Sequence, residues 1–411
     1  MDHAGEGPNH SFAPPPAGGA ERAYLAALLQ GFLFGANKIE RPESVNWDRL
    51  ASCLRGHHMV VPLLLPRLDL RSAPDELVRR LEVGAQRYRL QSGLLMHELF
   101  RILPALEAGG YAPVVLKGPA LAHTVYGGRP RYFTDLDLLV APADLAGAGE
   151  ALERLGYRYD STASAPPGTY LRHHFHFCYR NSAQMMVELH WDLSLPDDYV
   201  RLDAVNWRRR SRQVRVADAE MRIPHDDDQL LHAAKQCLDT SFADLRRIVD
   251  GAVLLRAGAA DIPGLAARAR ASGLATSLWL LLRMARRMTG VGDVALESEL
   301  APGRIVRACL TSLEFEAKAL DLYVYRRHGL GKLIRWLCAP NRAAAGRELR
   351  RHFVPRGWGL VALGIDPDTP PGPRLRLRIF SAQVLSFAKL FAYQLWCLAR
   401  SSVQKSASSA S

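Results

Sequence analysis

The chain has 411 residues, 48% of them hydrophobic and 23% charged, which is the balance of a folded globular protein with room for two or three domains and excludes wholesale disorder. Its formal net charge of +12 is carried by arginine, since only seven of the 53 basic residues are lysine; the clusters Arg208-Arg209-Arg210, Arg246-Arg247 and Arg350-Arg351 read as solvated surface rather than one polyanion footprint. Six scattered cysteines (Cys53, Cys178, Cys237, Cys309, Cys338 and Cys397) have no paired metal spacing, and no basic run leads into an apolar N-terminal core, so reduced thiols and a cytoplasmic location are expected rather than a disulfide framework or a secretory signal.

Residues 1–19 are rich in Pro, Gly and Ala and are expected to form a flexible tail. A helical region is expected over 20–110. Its apolar spacing runs through Leu25, Leu28, Leu29 and Phe32, then Leu94, Leu95, Leu99 and Leu103, and stops at Gly109-Gly110. Short strands take over from 111 to 225. Val114-Val115-Leu116 reads as a buried strand entering Lys117-Gly118-Pro119-Ala120-Leu121, where a glycine lets backbone approach a ligand. Helical spacing resumes at Ala120, Leu121 and Val125, so this turn is expected at a helix N-terminus, where backbone N–H groups favour an anion. Glycine turns between strand and helix are also common without any ligand.

The run Tyr132-Phe133-Thr134-Asp135-Leu136-Asp137-Leu138-Leu139-Val140 carries the most chemistry. A strand sends residues i and i+2 to one face, so Leu136, Leu138 and Val140 point one way and Asp135 and Asp137 the other. Two adjacent carboxylates repel unless a cation compensates, and oxygen pairs of this kind hold Mg2+ alongside substrate phosphates. A helix is expected around Leu145 to Leu155, ending at Gly156. Phe175 to Arg180 and Met185 to Trp191 then flank the polar turn Asn181-Ser182-Ala183-Gln184 as a hairpin, with Glu188 and His190 on one face. Glu188 beside the aspartates would complete a three-carboxylate cluster able to hold two metal ions for phosphoryl chemistry. His173, His174 and His176 lack a companion Cys pair or His-x3-His helix, which argues against zinc; His190 is expected to orient Glu188 or pack beside Trp191, and His173 and His174 to be exposed.

Gln213 to Val216 and Met221 to Ile223 read as a further small hairpin, and His225-Asp226-Asp227-Asp228 as a cap for the helical region expected over 226–400. There Arg246 and Asp250 stand at i and i+4, so Arg246 either pairs with Asp250 or faces a nucleotide. Between Arg378 and Arg400 an aromatic-rich stretch is interrupted by Gln383, Ser386, Lys389 and Gln394, which argues against a transmembrane span. An amphipathic covering helix is the first reading. Peripheral membrane contact through 374–400 is the second, motivated by Arg374, Arg376 and Arg378. Residues 401–411, mostly small and polar, are expected to be a second flexible tail. The chain has no Walker-type phosphate loop and no Gly-x-Ser-x-Gly elbow.

Taken in order, Leu116-Lys117-Gly118-Pro119-Ala120-Leu121, Tyr126-Gly127, Arg131 through Val140, Gly156-Tyr157 and Glu188-Leu189-His190-Trp191 resemble the uncharacterised bacterial nucleotidyltransferase family of the polymerase-beta superfamily. Trp47 to Ala51, His57 to Leu64, Leu230-Leu231-His232, Leu245-Arg246 and Asp250 extend the likeness over about residues 40–400. The resemblance implies an α+β fold, a small mixed sheet with a polymerase-beta-like nucleotidyltransferase core flanked by helical regions. It implies an Mg2+-dependent enzyme, with two ions (Mn2+ as the substitute) on Asp135, Asp137 and Glu188. Lys117, Gly118, Arg131 and Arg246 are the expected nucleotide-binding residues, and Glu188 or Asp137 the base. The partners would be an NTP and an unidentified acceptor, whether small molecule, peptide or RNA. Pro119 departs from the serine common in the superfamily and removes a hydroxyl and an N–H from the phosphate turn. It motivates the alternative of a degenerate nucleotide-sensing or protein-binding module; a toxin-like transferase modifying tRNA is a third reading, motivated by the basic balance.

Overall fold

The computed structural model describes residues 19–36, 38–127, 131–160, 167–216, 219–258, 262–312, 330–355, 360, 365, 367–368, 372–382 and 384–385. The tails expected at 1–19 and 401–411 lie outside these residues except for Gly19, as does 386–400 of the expected C-terminal helix.

The N-terminal part is helical as its spacing predicts: α1 (Gly19–Phe34), α2 (Trp47–Gly56), α3 (Val61–Leu64) and the long α4 (Asp75–Ala108). Leu25, Leu28, Leu29 and Phe32 form the buried stripe of α1, and Leu95, Leu99 and Leu103 that of α4. Leu94 was expected on the same stripe but is exposed: the buried positions continue through Glu98, Ile102 and Leu106, a row from which Leu94 is displaced by about a hundred degrees, one residue's step around the helix. Gly109 caps α4, and Gly110 adopts φ +81°, the left-handed value that lets the chain reverse.

The middle of the chain supplies β1 (Val114–Leu116), α5 (Lys117–Thr124), β2 (Asp135–Leu139), α6 (Leu145–Arg154), β3 (Arg158–Tyr159), α7 (Pro167–His173), β4 (His176–Arg180), β5 (Met186–His190), α8 (Ala204–Arg210), β6 (Arg212–Val216) and β7 (Ala219–Ile223). The seven strands of the described residues form one sheet, in the order β3-β4-β5-β2-β1-β7-β6. Its pairings are mixed, β2 with β5 and β1 with β7 parallel, the others antiparallel. The β6–β7 hairpin forms as its sequence predicts. Its β7 pairs with β1, Val114 opposite Arg222, and extends the sheet.

The helices that follow are α9 (Asp226–Asp239), α10 (Leu245–Ala257), α11 (Ile262–Ala271), α12 (Ala275–Thr289), α13 (Val294–Glu299) and α14 (Arg304–Ser312), with Leu330–Leu337 and Arg342–Phe353 beyond. The run expected to cap α9 begins it: His225 is the cap residue, without a side-chain bond, and Asp226, Asp227 and Asp228 occupy the first turn, where they complement the helix dipole. Two cores result. Leu136, Leu138, Val140, Phe177, Tyr179, Val187 and Leu189 pack with Leu99, Ile102, Leu106, Ala148 and Leu152 of α4 and α6. Val114, Leu116 and Leu139 join the other core, which unites α1 with α9, α10 and α12 through Leu28, Phe32, Leu231, Ile248 and Leu278. The fold is therefore α+β, a small mixed sheet between N- and C-terminal helical regions. Among the described residues no helix is long and apolar enough to cross a membrane.

Candidate active site

Alternation along three neighbouring strands builds the site. The residues that fill the α4/α6 core take one face of the sheet, so Asp135 and Asp137 of β2, Glu188 and His190 of β5, and His176 and Cys178 of β4 share the other. Register brings them together. Asp137 stands opposite Glu188 across the parallel pair, and Glu188 opposite Cys178 and His190 opposite His176 across the hairpin. At the end of β1, Leu116 is opposite Asp137, so the next residue, Lys117, reaches over the acids.

Lys117 Nζ is bonded to Asp137 Oδ1 and lies 3.8 Å from Glu188 Oε2. His190 Nε2 lies 2.9 Å from Asp137 Oδ1 and 3.2 Å from Glu188 Oε2, so it orients Glu188 as expected and Asp137 as well. The charges are mutually dependent. Burial alone would discharge Lys117, but Asp137, Glu188 and Asp135 outweigh it and hold its pKa above the ordinary value. Burial would raise Asp137, yet Lys117 and His190 hold its carboxyl low. Burial likewise opposes ionisation of Glu188, and the His190 hydrogen bond and Lys117 charge override it, so its carboxyl sits well below the usual range. His190 is raised because its bonds to Asp137 and Glu188 exceed the effect of burial. Asp135 behaves oppositely: burial and then the Asp137 charge push its carboxyl up.

Lys117 and Gly118 divide the turn differently from the sequence expectation. The left-handed backbone falls on Lys117, at φ +53°, whereas Gly118 is within α5. A Cβ at Gly118 would lie 2.5 Å from Phe133 Cβ, so close packing on the β2 approach already requires glycine here. No side chain caps α5, and Pro119 has no N–H to contribute at its first turn.

The structure brings Lys117, Asp135, Asp137 and Glu188 together, but not Arg131 or Arg246. Arg131 Nε and Nη2 bind Asp250 at 2.7 and 2.8 Å, its Nη1 donates to the Tyr132 carbonyl, and the side chain is 1% exposed. Tyr126 donates to the same carboxylate at 2.6 Å. This buried triad ties the β2 approach to α10, which occupies Arg131 structurally. Arg246 pairs with Asp244 at 3.0 Å rather than with Asp250, which is held by Arg131. Its neighbour Arg247 is the arginine whose charge reaches Lys117 and Asp135. Sequence reasoning missed Arg247, since the two arginines are adjacent and only the helix rotation separates them. It also missed that His176 and Cys178 face Glu188, although the His-x-Cys and Glu-x-His spacings across one hairpin carried that signal. His174 is buried, not exposed, and burial lowers its pKa to about 4.

The donor chemistry fits a hard divalent cation. Asp135, Asp137 and Glu188 present oxygen ligands on one face, and the lysine and histidine drawn to them show how strongly the cluster demands positive charge. Asp137, Glu188 and His190 also bring three ligand atoms within 4.8 Å of one another.

A family model described as uncharacterised nucleotidyltransferase matches residues 43–290. No curated protein matches the chain. Among solved structures, the chain is similar to the antibiotic-resistance factor ANT(2'')-Ia in a solution structure described as revealing substrate-regulated conformation dynamics: 13% identity, 44% of this chain, 93% of that chain, TM-score 0.34. A crystal structure of ANT(2'')-Ia in complex with adenylyl-2''-tobramycin matches at 14% identity over 43% of this chain and 96% of that chain, with a TM-score of 0.32. At such scores neither likeness bears on what this chain acts upon.

Proposed function

This chain belongs to the uncharacterised nucleotidyltransferase family of the polymerase-beta superfamily, and from that premise we propose that it transfers a nucleotidyl group from an NTP to a hydroxyl-bearing acceptor in an Mg2+-dependent reaction. The observation that carries the reading is the pairing of Asp137 with Glu188 in register on neighbouring parallel strands, with Asp135 two residues away on the same face. Asp135, Asp137 and Glu188 would hold Mg2+, which when bound supplies Lewis-acid charge for the attacking and leaving oxygens.

The chain's own residues divide the remaining work. Lys117 carries a positive charge beside the acids and is the side chain nearest to take up a phosphate oxygen, with Arg247 as the second cation. The acceptor oxygen forms a bond to the α-phosphorus as the bond to pyrophosphate breaks, and the acceptor's proton must go to a base. Glu188 or Asp137 is the base that would take it, and Lys117 and His190 keep both as the unprotonated carboxylates this needs.

The test is pyrophosphate release from each of the four NTPs with Mg2+ and a pooled set of small-molecule, peptide and RNA acceptors. Asp137→Asn should reduce turnover by about 100-fold or more, the scale of losing a group that stabilises transition-state charge. Unchanged turnover in that variant would reject the metal-site mechanism. If no NTP binds, as read by Mg2+-dependent thermal stabilisation, the degenerate-module reading replaces it.

A further inference from the structure

The acids occupy only part of the polar face of the sheet. On its β4 side, the hairpin sets His176 beside His190 and Cys178 beside Glu188. We propose that His176, Cys178 and Glu188 form a binding site for a borderline divalent transition-metal ion, Zn2+ by preference, separate from the hard-cation position at Asp135 and Asp137, with Glu188 bridging the two.

Geometry supports this first. One ligand atom from each of the three residues lies within 4.8 Å of the others. Zinc bonds of about 2.0–2.3 Å in a tetrahedron set ligand atoms roughly 3.5 Å apart, so a modest inward adjustment of three side chains closes the site. Glu188 is already divided between two directions. Its Oε2 faces His190 at 3.2 Å and Lys117 at 3.8 Å, whereas Oε1 faces His176 Nε2 at 3.9 Å. A carboxylate split in this way can serve a separate ion with each oxygen.

The chemistry of the donors points to the ion. His176 presents Nε2 toward Glu188 Oε1, and its Nδ1 is buried without a hydrogen-bond partner. An imidazole nitrogen is among the commonest donors to such an ion. Cys178 is buried and free of any disulfide. It stands opposite Glu188 across the hairpin, so a cation held there by the carboxylate would also favour the thiolate. Sulfur, nitrogen and one oxygen together select Zn2+ and disfavour Mg2+, and three protein ligands leave a fourth position open to water or substrate.

The inference does not rest on the transferase reading, because it is read on the resting full-length chain without nucleotide. Chelator-treated protein is titrated with Co2+ as the probe. The expected result is a thiolate-to-cobalt charge-transfer band in the near ultraviolet that saturates at one Co2+ per chain, is displaced by Zn2+ and survives a large excess of Mg2+. Cys178→Ser should abolish the band. His176→Ala should weaken Co2+ binding at least tenfold, and Asp135→Asn should retain the band. Unfolding of each variant in chelator shows whether it is folded. Should Cys178→Ser not fold, the His176→Ala titration and the Mg2+ competition decide. Absence of a band in the wild type, or the same band in folded Cys178→Ser or with unchanged affinity in His176→Ala, overturns the site.

Discussion

Lys117 donates its ammonium to Asp137 from a backbone position with φ of +53°, so a left-handed residue and a buried charge contact hold each other in place. Left-handed backbone costs a residue with a Cβ about 1–2 kcal/mol, and removing one partner of a buried ion pair costs about 3–5 kcal/mol. Lys117→Met should therefore lower the unfolding free energy in urea by about 3–5 kcal/mol at neutral pH. Added Mg2+ should restore more stability to that variant than to the wild type, because the acids then lack their built-in cation. Lys117→Gly should exceed Lys117→Ala in stability by about 1 kcal/mol, the reverse of their order inside an ordinary helix. Equal stability of the two would show that the left-handed turn is not kept once the ammonium is gone.

The triad of Arg131, Asp250 and Tyr126 gives the chain a pH dependence of definite sign. Burial would raise the Asp250 carboxyl, but the charge of Arg131 outweighs it and holds the carboxyl below the ordinary 3.8. A carboxylate lowered on folding contributes stability above its unfolded value and loses it as pH falls through the folded one. The wild type should accordingly lose stability on acidification below about pH 4. Asp250→Asn should be less stable at neutral pH and show a shallower acid slope. Denaturant midpoints at a series of pH values read both effects, and an unchanged slope would remove Asp250 from the acid transition. Arg131→Leu alone should cost about 3–5 kcal/mol, whereas Arg131→Leu with Asp250→Leu should cost less than either single change, because no buried charge is then left unpaired.

These two relationships mark what the sequence could and could not reveal. The Asp135/Asp137 face was legible because strand alternation is local, and Glu188 with His190 was legible for the same reason. The Arg131–Asp250 pair spans 119 positions, and nothing local distinguishes Arg131 from any exposed arginine. The docking of β7 against β1 was hidden likewise, since parallel partners can be far apart in sequence and share no turn. Leu94 and Leu95, like Arg246 and Arg247, differ by one step of about 100° around a helix. Only the tertiary packing selects which of each adjacent pair faces inward.

Gly118 offers a test that separates packing from ligand approach. The nearest atoms to an added methyl are the Cβ and Cγ of Phe133, at 2.5 and 2.7 Å, and Cβ cannot swing aside. Gly118→Ala should destabilise the nucleotide-free chain by about 1–3 kcal/mol, the usual cost of overpacking. A variant of wild-type stability that nonetheless failed to bind NTP would instead assign the glycine to the phosphate turn alone.

Arg246 and Arg247 divide the work at the start of α10. Arg246 is paired with Asp244, and its Nη1 lies 2.9 Å from Met59 Sδ, which turns it toward the N-terminal helical region. Arg247 contacts Asp244 at 3.5 Å and Asp250 at 3.9 Å, both longer separations, while its charge is felt at Lys117 and Asp135. An anionic triphosphate beside Lys117 is therefore expected to feel the charge of Arg247 more than that of Arg246. Arg247→Met should weaken NTP binding about tenfold, near 1.4 kcal/mol, roughly the strength of one charge-assisted hydrogen bond. Arg246→Met should leave affinity within about twofold and act on stability instead, because it removes the nearer of the two arginines on Asp244. Calorimetric titration of both variants with Mg2+ and NTP distinguishes them. Equal loss in the two would mean that Arg246 leaves Asp244 for the nucleotide, and that α10 presents both arginines when the site is filled.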